Sequence, residues 1–170
     1  MIELVLGGAR SGKSAYAEQQ LVALQQPLLY LATATAGDGE MAARIAQHQL
    51  QRAEQQWQTI EEPISLAQCL AAQDADKVIL VDCLTLWLSN CLFNDDAHCW
   101  AREKKALLTL LPQLQANIIF VSNEVGLGII PMGEVNRRFV DEAGRLHQDI
   151  AALADKVTFV TAGLPQTLKG

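Results

Sequence analysis

The sequence predicts an α/β protein with a doubly wound, mostly parallel sheet flanked by helices. Residues 2–6, 28–32, 78–82, 118–122 and 157–161 are short runs that are apolar almost throughout. Such unbroken runs suit strands covered on both faces, whereas strands with one wet face alternate. The segments between the runs have helical periodicity and leave room for crossover helices. The first run also leads straight into Gly7, Gly8, Ala9, Arg10, Ser11, Gly12, Lys13 and Ser14, a complete G-x-x-x-x-G-K-S phosphate-binding loop.

A strand delivers this loop, and the helix behind it points its free N-terminal amides and positive dipole end at an anion. Glycines let the backbone come close, Lys13 reaches the outer phosphates and Ser14 is a ligand for Mg²⁺. A bound nucleoside triphosphate is the expected consequence.

The first helix is expected over residues 12–25, ending before Pro27 and turning Ala15, Ala17, Leu21 and Leu24 toward the sheet. A second is expected over 38–55, with Asp38 as N-cap and Glu40 in the first turn. A third follows Pro63 and continues past Leu70. Residues 84–92 read as a short buried helix, 96–111 as an amphipathic one and 134–154 as the last long helix. No repeat, low-complexity tract or linker divides the chain, so one domain over residues 1–170 is expected.

Half of the 170 residues are hydrophobic, enough for a substantial core, and the formal net charge is −6. That balance argues against nucleic acid and anionic membranes as partners, because both need a broad basic surface. No apolar run approaches the ~18 residues of a membrane span, and no leader pattern precedes the first strand. A cytoplasmic protein is expected. Cys69, Cys83, Cys91 and Cys99 form no C-x-x-C pair, so they are read as reduced, mostly buried thiols rather than zinc ligands.

Several positions beyond the loop have residue types suited to chemistry. His48 lies four residues after Arg44 and four before Arg52, so on a helix the three side chains share one face. Two guanidinium groups beside an imidazole favour its neutral form and attract phosphate, which suits a nucleophile at phosphorus, although a surface histidine among solvated charges has the same spacing. Asp82 closes the third apolar run, where it can hold a metal through water, contact base or sugar, or simply cap the next helix. Thr33 and Thr35 offer hydroxyls at the same rim.

Glu61 and Glu62 precede Pro63, close to Trp57 and Thr59. A carboxylate there can accept both edge protons of guanine and oppose adenine, or belong to a solvated loop. Finally, Ser122, Asn123, Glu124, Val125, Gly126, Leu127 and Gly128 follow the fourth run. Glu124 can orient a substrate hydroxyl or a metal-bound water there, or the stretch can be a plain turn. Arg137, Arg138 and Arg145 are either solvated or guard an anionic or subunit surface.

Together these segments closely resemble the bifunctional adenosylcobinamide kinase / adenosylcobinamide-phosphate guanylyltransferase family of cobalamin biosynthesis. The carriers are residues 6–14, the helix 40–45 with His48, Arg52 and Trp57, the stretch 81–87, the stretch 123–131, and Arg138, Phe139, Asp141, Ala143, Gly144 and Arg145. The resemblance implies two reactions: phosphorylation of the aminopropanol hydroxyl of adenosylcobinamide by GTP or ATP, then GMP transfer from GTP onto that phosphate with release of pyrophosphate. It implies a guanylylated histidine, here His48 in the R-I-x-x-H position. Some members have two adjacent histidines, whereas this chain has Gln47 before His48.

The resemblance further implies nucleotide contacts from Thr33, Ala34, Thr35, Gln49, Leu50, Gln51, Arg52, Glu61 and Asp82, Mg²⁺ as cofactor, and a ring-like homo-oligomer, often a trimer. A phosphate-loop kinase of small metabolites and a GTP-dependent regulatory switch are the competing functions. A protein-bound guanylyl group would separate them from the first reading.

Overall fold

A computed structural model describes residues 1–34 and 57–170. Its seven strands are β1 (Ile2–Gly7), β2 (Leu28–Ala32), β3 (Gln58–Glu61), β4 (Val78–Asp82), β5 (Asn117–Asn123), β6 (Lys156–Thr161) and β7 (Leu164–Lys169). They form one sheet in the order β3-β2-β4-β5-β1-β6-β7, parallel except for the antiparallel β6–β7 pair. The helices are α1 (Lys13–Val22), α2 (Leu66–Ala71), α3 (Leu84–Leu92), α4 (Cys99–Leu110) and α5 (Glu134–Leu153). The expected doubly wound, mostly parallel architecture is what the chain adopts.

Alternation along the strands sends successive side chains to opposite faces. Leu4, Leu31, Ile79, Val81, Ile118 and Phe120 pack with Leu66, Trp87, Trp100, Leu107, Leu146 and Ile150, so α2 to α5 cover that face. Val5, Tyr30, Leu80, Ile119 and Val121 pack on the other face with Ala17 and Leu21 of α1. Burial on both sides explains why the central runs lack polar alternation. In α5 the buried set Ala143, Leu146, His147 and Ile150 follows helical spacing, leaving the arginines outside. Trp87 and Trp100 meet edge to face with ring centroids 5.4 Å apart, locking α3 to α4.

Two strands were not expected. β3 is four residues at the sheet edge, and its Gln-Thr-Ile-Glu sequence is too short and polar to stand out. β7 is exposed along its length and contains Pro165, which an edge strand tolerates. Ala162 (φ 52°) and Gly163 (φ 78°) form the two-residue turn between β6 and β7, the double positive φ of a tight hairpin.

Helix bounds also moved. α1 stops at Val22, not at residue 25, because the chain tightens through Leu24 N–H to Leu21 O (3.1 Å) and Gln25 N–H to Val22 O (3.2 Å). Of the residues expected to face the sheet, Ala17 and Leu21 are buried, whereas Ala15 and Leu24 are exposed. The helix after Pro63 begins only at Leu66, since Glu62 Oε1 accepts the Ile64 and Ser65 amides at 2.9 and 2.7 Å and holds that segment as a turn. The expected helix over 38–55 lies outside the described residues.

Candidate functional site

The parallel strands end together on one rim, and the phosphate loop leaves β1 there, between β5 and β6. Gly7 has no room for a side chain: a Cβ there would come within 2.5 Å of both Ser11 Oγ and the Val160 carbonyl. Gly12 has φ +95°, a backbone region that favours glycine, and starts α1. Ser11 N–H closes the loop onto Gly8 O at 3.2 Å, and Arg10 also takes a positive φ of 56°. The loop is further braced by the β6–β7 turn, whose Gly163 N–H donates to Ser11 O at 2.7 Å. Sequence reading missed this brace. Its available signal was Ala162-Gly163 between two strand-like segments.

Lys13 is buried, with its Nζ donating to Gly8 O at 3.0 Å, so the ammonium is laid along the inside of the loop. Ser14 Oγ donates to Asp82 Oδ2 at 3.0 Å. β5 separates the strands of these two residues' elements, β1 and β4, yet the first turn of α1 spans the gap. A hydroxyl beside a carboxylate is a hard oxygen donor pair, of the kind that holds a small divalent cation whose other ligands come from phosphate and water. Ser11 Oγ is buried with no hydrogen-bond partner among the described residues. A phosphate oxygen in the cradle would fit that hydroxyl.

Thr33 sits at the same rim with a committed hydroxyl. It donates to Cys83 O at 2.7 Å and accepts from Cys83 N–H at 2.9 Å, fixing the turn after β4. Asn90 holds the Thr33 carbonyl at 2.8 Å, and Asn123 at the end of β5 donates to Thr85 Oγ1 at 2.9 Å. Burial, with Asp82 beside it, pushes the Cys83 thiol above its ordinary value, so it stays protonated and unreactive. Ala34 follows Thr33 at the end of the first described segment.

The two glutamates separate clearly. Glu62 caps the turn before α2, whereas Glu61 ends β3 with an exposed side chain on the same rim, opposite Ala32 in the strand pairing. His48, Thr35, Gln49, Leu50, Gln51, Arg44 and Arg52 lie outside the described residues.

Next to the loop, Glu124 follows β5 directly and its N–H donates to Gly7 O at 2.9 Å. Beneath it, Ser122 Oγ and His147 Nε2 lie 2.7 Å apart in a buried contact. Burial holds the His147 imidazole below its usual pKa, an effect that the nearby Glu124 carboxylate partly opposes. Arg137 donates to the carbonyls of Pro131 and Met132, and Arg145 pairs with Glu142 at 2.5 Å, so both have local structural partners.

The loop and the Ser14–Asp82 pair have the form of a phosphate-binding cradle. Among solved structures the chain is similar to the RadB recombinase (13% identity, TM-score 0.53, 93% of this chain and 73% of that one). It is also similar to the flagellar accessory protein FlaH from Methanocaldococcus jannaschii (14% identity, TM-score 0.52, 99% and 77%). These likenesses concern the fold alone. Over its full length the chain is 53% identical to the bifunctional adenosylcobalamin biosynthesis protein CobP of Pseudomonas aeruginosa, over 171 residues that span 98% of that protein. It is 37% identical to the bifunctional adenosylcobalamin biosynthesis protein CobU of Escherichia coli K12, with 99% of this chain and 100% of that one covered. The family model for cobinamide kinase / cobinamide phosphate guanyltransferase matches residues 3–168, and the chain therefore belongs to that family of transferases.

Proposed function

We propose that this chain phosphorylates the aminopropanol hydroxyl of adenosylcobinamide and then transfers GMP from GTP to the new phosphate, releasing pyrophosphate. The observation that carries the reading is the braced loop from Gly7 to Ser14 facing Asp82, within a chain that matches the bifunctional family from end to end. One cradle in one domain serves both reactions, because each breaks a phosphoanhydride bond of a triphosphate.

The guanylyl transfer proceeds through His48, a reading supported by its R-I-x-x-H position and by the flanking Arg44 and Arg52. The imidazole attacks the α-phosphorus, the α–β bridging bond breaks, and pyrophosphate departs with the bonding electrons. The corrinoid phosphate then displaces the histidine. Two in-line displacements replace one difficult transfer between bulky anions. Lys13 and the loop amides stabilise charge on the phosphates, and Arg44 or Arg52 neutralises the α-phosphate. Mg²⁺ held at Ser14 and Asp82 would supply further charge neutralisation when bound. Glu61 selects guanine by accepting its two edge protons, and Thr33, Ala34, Thr35, Gln49, Leu50 and Gln51 complete the nucleotide surround.

The reading includes a homo-oligomer, a trimer by family resemblance. Leu127, Ile129, Ile130 and Met132 are 77–99% exposed in one segment, the kind of apolar surface that association covers. It also includes a cytoplasmic location, with small-molecule substrates instead of nucleic acid or membrane partners, in keeping with the net charge of −6. The test is to incubate the chain with adenosylcobinamide, ATP, GTP and Mg²⁺ and to separate the corrinoids. Sequential appearance of the phosphate and the GDP derivative supports the reading, and absence of both defeats it.

A further inference from the structure

The Gly8 side of the phosphate loop opens into a cavity of about 530 Å³, lined in part by Gly8, Ala9, Arg10, Glu124, Leu127 and Thr161. Lys13 Nζ rests 3.0 Å from Gly8 O, and the lysine of such a loop reaches the β- and γ-phosphates, so this cavity adjoins the outer end of the triphosphate. Glu124 stands on its wall. Glu124 directly follows β5, which runs between β1 and β4, so its backbone leaves the rim between the strand that delivers the loop and the strand that ends in Asp82.

The Glu124 backbone is pinned to Gly7, and its Oε1 accepts the Gly126 N–H, while Oε2 has no protein hydrogen-bond partner among the described residues. No ion pair engages this carboxylate among those residues either, although it is half-buried. A held carboxylate outside any ion pair among the described residues, on the wall of the cavity beside the loop, meets the positional requirement for a general base.

Given the kinase step above, we propose that Glu124 is the catalytic base that accepts the proton of the corrinoid hydroxyl during phosphoryl transfer. The hydroxyl oxygen attacks the γ-phosphorus and forms the new O–P bond. The bond from that phosphorus to the β–γ bridging oxygen breaks, and the nucleoside diphosphate leaves with the electron pair. The hydroxyl proton passes to the free Glu124 oxygen and from there to water. Histidine guanylylation involves no acceptor hydroxyl and no such base.

The test compares Glu124→Gln and Glu124→Asp with the parent in steady-state phosphorylation of adenosylcobinamide, alongside nucleotide affinity and thermal unfolding. Glu124→Gln should lower kcat by about 100-fold or more with nucleotide Kd within about threefold of the parent. Glu124→Asp, which keeps a carboxylate, should retain at least about tenfold more rate than the glutamine variant. A kcat for Glu124→Gln within about threefold of the parent overturns the assignment. So does a loss matched by equal weakening of nucleotide binding, or an aspartate variant no faster than the glutamine one. A parent chain that never phosphorylates the corrinoid would instead defeat the kinase reading itself.

Discussion

Ser14 Oγ and Asp82 Oδ2 lie 3.0 Å apart, so the helix behind the phosphate loop and the end of β4 present two oxygen donors to one point. The pair spans the width of β5 and, with Mg²⁺ bound as proposed, would hold the ion on that side of the loop. Replacing either partner should weaken a divalent ion more than the nucleotide itself. For Ser14→Ala and Asp82→Asn, the Mg²⁺ concentration giving half-maximal activity should rise roughly 10- to 100-fold. A titration of activity against Mg²⁺ checks this, and unchanged half-saturation in both variants would remove the pair from the metal site.

Adjacent glycines at the start of the loop should respond differently to the same substitution. A Cβ on Gly7 would lie 2.5 Å from the Val160 carbonyl, a backbone atom that cannot swing aside, whereas a Cβ on Gly8 meets nothing within 4 Å. Gly7→Ala should destabilise the fold by about 1–3 kcal/mol, as overpacking does, and Gly8→Ala by less than about 0.5 kcal/mol. Denaturant unfolding of both variants measures the difference. Equal losses would mean that β6 does not brace the loop.

Much of this architecture is legible in the chain because central parallel strands are buried on both faces and therefore apolar without interruption. The edge strands escape notice for the converse reason: β3 and β7 are wet, so Gln58, Thr59, Gln166 and Thr167 break the pattern. Covalent spacing makes the phosphate loop readable, since eight consecutive residues carry it. The contacts that tie it to the rest of the molecule are less accessible. Ser14 meets Asp82 across 68 positions of sequence, and Gly163 reaches Ser11 through a hairpin whose second strand has no apolar signature. Residue type likewise could not separate Glu61 from Glu62. Only the hydrogen bonds from the Ile64 and Ser65 amides show that Glu62 is occupied as a cap.

That separation leaves Glu61 as the carboxylate available to a base. Glu61→Gln should reduce discrimination between GTP and ATP, because an amide offers a donor where the carboxylate accepts two protons. The GTP-to-ATP affinity ratio should fall by roughly 10-fold or more, a loss in line with one bidentate contact. Competition binding reads the ratio directly, and an unchanged value would assign Glu61 to the solvent-facing edge of β3 alone.

His147 predicts a pH dependence of folding. Burial keeps its folded pKa below the unfolded value of about 6.5, so the unfolded chain binds the extra proton first. The associated stability is fully present above about pH 6.5 and is lost as pH falls from there toward the folded-state value. The contribution to the slope reaches at most about 1.4 kcal/mol per pH unit. Urea unfolding of the parent and His147→Gln across this window should show a shallower dependence in the variant. Parallel curves would contradict the buried neutral imidazole.

In the proposed reaction one phosphate loop feeds a covalent guanylyl-histidine at His48. The most direct measurement is to incubate the chain with GTP labelled at the α-phosphate and Mg²⁺, without corrinoid, and to map any acid-labile label on the protein. Label is expected on His48, with none in His48→Asn and discharge onto adenosylcobinamide phosphate when that acceptor is added. Label persisting in His48→Asn, or GMP transfer by the parent with no labelled protein, would contradict that reaction.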